Sequence, residues 1–143
     1  MSRSGYIDDM DDMWQHICWR GAVASAFKGK RGQAFLKEML AALDALPEKA
    51  LVANELEEKD GAVCALGAVG KARGIDMSKI DPEDRETVAA KFGIADAMAA
   101  EIVFMNDEWV YDPSEESPKQ RFFRMRKWVE SQIVKEPASG PTQ

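Results

Sequence analysis

The chain has a single histidine, His16, and only two cysteines, Cys18 and Cys64, in 143 residues. One histidine excludes a histidine-rich metal centre. On a helix, His16 and Cys18 stand two residues apart and point away from each other. Two cysteines are too few for a disulfide scaffold. Each lies in a run that reads as helical and apolar, so both are expected as buried free thiols. No apolar stretch at the start resembles a signal peptide, and no run approaches the ~20 residues needed to cross a bilayer. A cytoplasmic protein without membrane contact is the resulting expectation.

A surplus of positive charge is also missing. The formal net charge of −6 opposes non-specific binding to nucleic acid or to anionic membranes. What the chain does have is 45% hydrophobic and 31% charged residues. That balance supports a packed core and argues against global disorder. The length fits one domain. The expected organisation is a flexible segment over residues 1–10, a single helical domain over 11–134, and a disordered tail over 135–143.

Helical periodicity dominates the middle of the chain. From about Asp11, the residues Trp14, Ile17, Cys18, Ala22 and Ala26 recur at helical spacing, and Trp19, Val23 and Phe27 widen the apolar face. Two apolar sides predict a central helix. A second helix is predicted from Gly32 to Leu46, with Phe35, Leu36, Met39, Leu40 and Leu43 in one stripe and Pro47 as its stop. Over residues 50–56 the Ala, Leu and Glu content favours helix, with a small β-hairpin near residues 50–65 as the alternative. Asp81 is expected to cap a helix opened by Pro82, and Gly93 to close it. Further helices are predicted over Ala95–Asn106, burying Met98, Ile102 and Met105, and from Ser117-Pro118 to Val134. The fold class is therefore mainly α, a single compact multi-helix domain.

The stretch "GAVCALGAVGKARG" tests whether glycines and a lysine form a phosphate cradle. A P-loop needs G-x-x-x-x-G-K followed by Ser or Thr. Here Ala72 follows Gly70-Lys71, and Ala65 occupies the first glycine position. The G-x-G-x-x-G fingerprint is absent as well. Gly67, Gly70 and Gly74 have helical spacing instead, which predicts a small-residue helix packed closely against a neighbour. "VAAKFGIADAMAAEI" faintly resembles a helix-turn-helix. Its second helix carries Asp96, Glu101 and no Arg or Lys, so it lacks the donors needed to read bases.

Two basic segments are the candidates for a functional surface. "KGKRGQ" sets Lys28, Lys30 and Arg31 between two helices, just before a helix N-terminus whose amides attract anions. The last helix carries Arg121, Arg124 and Lys127 interleaved with Phe122, Phe123 and Trp128. Such interleaving suits nucleic acid. It equally suits an amphipathic helix whose cations balance the acidic "DEWVYDPSEE" loop. These six cations are the expected anion- or partner-binding residues. The sequence nominates no catalytic residue, no metal ligand and no cofactor.

The segments "RGAVASAFKGKRGQAFLKEMLAALDALPEKALVANELE", "GAVCALGAVGKARGIDMS", "FGIADAMAAEI", "MNDEW" and "RMRKWVE" lie between about Trp19 and Glu130. Together they resemble a family of small proteins from tailed bacteriophages and prophages of proteobacteria. "GKRGQAFL" and "VCALGAVGKARG" are the most distinctive parts. The resemblance implies a phage or prophage origin, the cytoplasm of a bacterial host, and an accessory role. It implies no chemistry. The functional expectation is a non-enzymatic accessory protein that binds a protein partner, with a host or defence factor in view. The alternative is a nucleic-acid or nucleotide-binding module using the "KGKRG" loop and the basic last helix.

Overall fold

A computed structural model describes residues 3–4, 13–109 and 115–134. Among these residues six α-helices follow one another: α1 (Met13–Lys28), α2 (Lys30–Ala45), α3 (Ala65–Arg73), α4 (Arg85–Phe92), α5 (Asp96–Asp107) and α6 (Pro118–Gln132), with a 3-10 turn at Met77–Lys79 before α4. Among the described residues there is no strand, only an isolated antiparallel bridge between Glu57 and Val63. The protein is a mainly α, single-domain molecule, as its periodicity predicts. Asp11 and Asp12, expected to open the first helix, and most of the expected loose segment and tail lie outside the described residues.

The centre of the fold is α5, not α1. Ala97, Met98, Ala99, Ala100, Glu101, Ile102, Val103, Met105, Asn106 and Asp107 are all buried, on every side of α5. Its three alanines, Ala97, Ala99 and Ala100, let neighbouring helices approach its axis, and α1, α3, α4 and α6 all pack against it. On α1, by contrast, Val23 and Phe27 are buried, Trp19 and Ala26 half-buried, and residues 14–18 exposed. The apolar residues of α1 therefore cover two sides of a peripheral helix. Periodicity reports faces, not which of them a neighbour covers.

Helix ends follow local chemistry, with one shift. Ser117 and Gln120 form a reciprocal capping box at α6, with Pro118 at its first turn. Gly93 closes α4 and Gly74 closes α3, both left-handed with φ of 70° and 74°. The start of α4 lies three residues later than the Asp-Pro signal predicts. Asp84 caps it by accepting from the Thr87 N–H at 3.3 Å, while Asp81 accepts from the Glu83 N–H in a separate turn. Two aspartates could cap, and the later one does. The interruption between α1 and α2 is also shorter than expected: Gly29 alone separates them.

The expected helix over residues 50–56 does not form. Leu51 N–H donates to the Pro118 carbonyl, Val52 N–H to Val63, and Cys64 N–H to Leu56, so these amides bond across the chain rather than along it. Asn54 has φ of 69°, a conformation that a helix cannot contain. The hairpin alternative is present only as the single bridge and a turn at residues 58–61. Leu51 and Leu56, both buried, hold this irregular segment to the core. It packs on α3, where a Cβ at Gly67 would lie 1.9 Å from the Leu56 carbonyl oxygen. Close packing at Gly67 was expected against a helix; the neighbour is this loop's backbone.

Candidate partner-binding surface

The outer side of α1 carries two of the large apolar residues that stand exposed among the described residues. Trp14 is 70% exposed and Ile17 53% exposed, and Gly21 and Lys28 continue the row at four- and seven-residue intervals. At about 3.6 residues per turn, Trp14 and Gly21 lie roughly 120–180° around the helix from Val23 and Phe27, and Ile17 and Lys28 roughly 80–140°. Cys18 is exposed beside them, which corrects the expectation of a buried thiol; Cys64 is buried. A Cβ at Gly21 would meet nothing within 4 Å, so another backbone can approach there.

Beside this row a cleft of about 360 Å³ opens between α1 and α6. Ala24 and Lys28 line one wall, Trp128 and Ser131 the other. Phe27 and Trp128 meet edge to face with ring centroids 5.6 Å apart. Gln33 holds the far end of α6 in place. Its side-chain amide nitrogen, Nε2, donates to the carbonyls of Phe27 at 2.7 Å and Gln132 at 3.0 Å, and its Oε1 accepts from the Val134 N–H at 2.8 Å.

Lys28, Lys30 and Arg31 are all exposed at the junction of α1 and α2. They do not face one direction. Lys28 lines the cleft toward α6, while Lys30 and Arg31 line a smaller one of about 220 Å³ with Ile94 and Ala95 of the α4–α5 turn and Met98 of α5. Gly29 caps α2 with extended backbone and no side-chain bond, leaving the first amides of α2 beside these cations.

The basic last helix is arranged differently. Arg121 is buried; its Nη1 donates to the Leu51 carbonyl at 3.1 Å and its Nε lies 3.3 Å from Glu116. Arg124 chelates Glu116 through Nε at 2.6 Å and Nη2 at 2.9 Å, and also donates to the carbonyls of Met105 and Asn106. Arg126 pairs with Asp44 of α2 at 2.6 Å. Hydrogen bonding to Arg124 holds the Glu116 carboxyl below the usual carboxylate range, against the opposing effect of burial. Arg121 and Arg124 thus join α6 to the body of the protein, and the neighbouring acidic residue is their counter-charge. Of the three expected site cations on this helix, Lys127 alone is exposed.

A buried polar centre lies elsewhere, at the C-terminal end of α5. Arg3 Nε and Nη2 donate to the two oxygens of Asp107, each at 2.7 Å, and both side chains are at most 2% exposed. Burial alone would lower the affinity of Arg3 for its proton; the Cys64 sulfur and the Asp107 carboxylate more than offset this, and its pKa rises. Asp107 Oδ1 also accepts from the Asn54 N–H at 3.1 Å and from Asn106 Nδ2 at 2.8 Å. Residues 3 and 4 are therefore buried within a stretch expected to be loose. No local pattern marks this centre, because Arg3 and Asp107 are 104 positions apart.

Among the described residues no cluster of three or more His, Cys, Asp or Glu could hold a metal ion, and no helix is long and apolar enough to cross a membrane. The α4–Gly93–α5 unit cannot offer α5 to a DNA groove, since α5 is enclosed by its neighbours. No family model, curated protein or solved structure matches the chain.

Proposed function

We propose that this chain is a non-enzymatic accessory protein of phage or prophage origin that binds a protein partner through the outer face of α1 and the cations at the α1–α2 junction. The observation that carries the reading is the row of Trp14, Ile17 and Gly21, exposed on a side of α1 turned away from Val23 and Phe27. Tryptophan is enriched where protein surfaces meet, and a small residue in the same row lets a partner helix approach. Lys28 closes the row with a positive charge, and Lys30 and Arg31 extend that charge around the junction. An apolar groove with an acidic rim is the complementary surface. The phage origin rests on the sequence resemblance.

Nucleic-acid binding is the second reading, favoured by the three exposed cations beside the first amides of α2. It loses support from Arg121 and Arg124, whose guanidinium groups are engaged inside the fold. Tagged protein purified from phage-infected cells, with and without nuclease, separates the two readings. A partner that survives nuclease and is lost with Ile17→Glu supports the α1 surface. Partners that vanish with nuclease and persist with Ile17→Glu support nucleic acid.

A further inference from the structure

The buried centre around Asp107 has the construction of a receptor. Its acceptor is fixed before Arg3 is considered. Asn106 is held by the Ala65 N–H, which donates to its Oδ1 at 3.1 Å, and by its own Nδ2, which donates to the Val52 carbonyl at 3.0 Å. Asn106 and the Asn54 N–H then orient Asp107 Oδ1, and Asn54 adopts a left-handed backbone at that point. Three separate parts of the fold converge there: the end of α5, the 52–54 loop and the start of α3. None of them is contributed by residues 3 and 4.

The occupant is recognised by its side chains. Two parallel N–H···O bonds from the guanidinium to Asp107 read its planar fork, and Nη1 lies 3.8 Å from Cys64 Sγ. Ser4 Oγ donates to Glu108 Oε2 at 2.6 Å, and Arg85 Nη1 donates to the Ser4 carbonyl at 3.1 Å. A lysine could not replace this arginine, because a point-charge ammonium cannot span both carboxylate oxygens. We propose that this pocket is a binding site for an arginine side chain presented on a peptide as Arg-Ser, and that the chain fills it in cis with Arg3-Ser4. A tethered occupant acts at an effective concentration on the order of millimolar, so an arginine from a partner enters when the tethered one is withdrawn. The site uses no residue of the exposed α1 row.

The test uses Cys64 as reporter, on a Cys18→Ser background that leaves it the only thiol. Arg3→Ala should raise the rate of Cys64 modification by a small thiol reagent at least about tenfold, since it uncovers the sulfur and reduces the population of closed states. A synthetic peptide of residues 1–8, MSRSGYID, should restore protection saturably in the variant and leave the parent protein unchanged. The same peptide carrying Arg3→Lys should not protect. Arg3→Lys in the full chain keeps a cation beside Asp107 and serves as the second host for the peptide. If both variants fail to fold alone, refolding with either peptide is followed by circular dichroism, and recovery with the arginine peptide only is the expected result. Equal protection by both peptides, or no protection or recovery at millimolar peptide, overturns the proposal.

Discussion

Two glycines in helices have opposite surroundings, and a single methyl group distinguishes them. At Gly67 an added Cβ would lie 1.9 Å from the Leu56 carbonyl oxygen and 3.0 Å from the Val63 Cβ, so backbone must move. Gly67→Ala should cost about 1–3 kcal/mol through overpacking. At Gly21 the added methyl meets nothing, and Gly21→Ala should stabilise the helix by about 0.5–1 kcal/mol. Thermal denaturation of the two variants side by side checks both signs. Gly21→Ala has a second use. If the row on α1 docks closely against a partner, the methyl weakens binding while the melting temperature rises.

At the scale of the element, α6 shows how one acidic residue organises a basic helix. Ser117 caps it, and Ser117→Ala should cost about 1 kcal/mol, the usual loss for an N-cap. Just before it, Glu116 accepts from Arg124 and faces Arg121, and its folded pKa is depressed. A depressed carboxyl pKa gives stability that is fully present above the unfolded value, about 4, and that is lost as pH falls through the lower folded value. Glu38, bonded to Arg73, and Asp44, bonded to Arg126, are depressed in the same direction. The melting temperature should therefore hold between pH 7 and 5 and fall steeply below about 4. Glu116→Gln should lower it at neutral pH and flatten part of the acid limb. An acid limb of unchanged steepness would show that Glu116 does not contribute to it.

At the scale of the whole molecule, the paired arginines differ from the cations of the α1–α2 junction. Arg3, Arg20, Arg73 and Arg126 form ion pairs that join distant parts of the chain, and Arg85, Arg121 and Arg124 pair with acidic residues nearer in sequence. Lys28, Lys30 and Arg31 stand exposed at a helix junction. Lys30→Glu with Arg31→Glu should change stability by no more than about 0.5 kcal/mol, because both are surface positions. Its effect should appear in binding, as a loss that is largest at low salt, where screening is weakest. A melting curve paired with partner binding at two salt concentrations measures both. Destabilisation would make the junction a structural feature; full binding at both salts would remove these cations from the interface.

The sequence by itself determined where most helices lie and how they end. The capping box at Ser117, the left-handed glycines at 74 and 93 and the stripe of α2 are local effects, set within a few residues of one another. Ala65 and Ala72, where a P-loop needs glycine and a hydroxyl, likewise argued against a phosphate loop, and the helical spacing of Gly67 and Gly70 indicated close packing. Tertiary structure decided what those elements face. Whether Trp14 and Ile17 are core or surface depends on what neighbour stands opposite α1, and their spacing is the same in either case. Residues 50–56 favour helix locally, yet bonds to Pro118, Val63 and Cys64 outweigh that preference. Arg121 and Arg124 have the spacing of a solvated basic face, and Glu116 together with the carbonyls of Leu51, Met105 and Asn106 turns them inward. The Arg3–Asp107 pair is the extreme case: it joins residues 104 positions apart, and no local propensity depends on contacts at that distance. Helix propensity and capping are short-range, whereas burial and charge pairing depend on which surfaces the fold brings together.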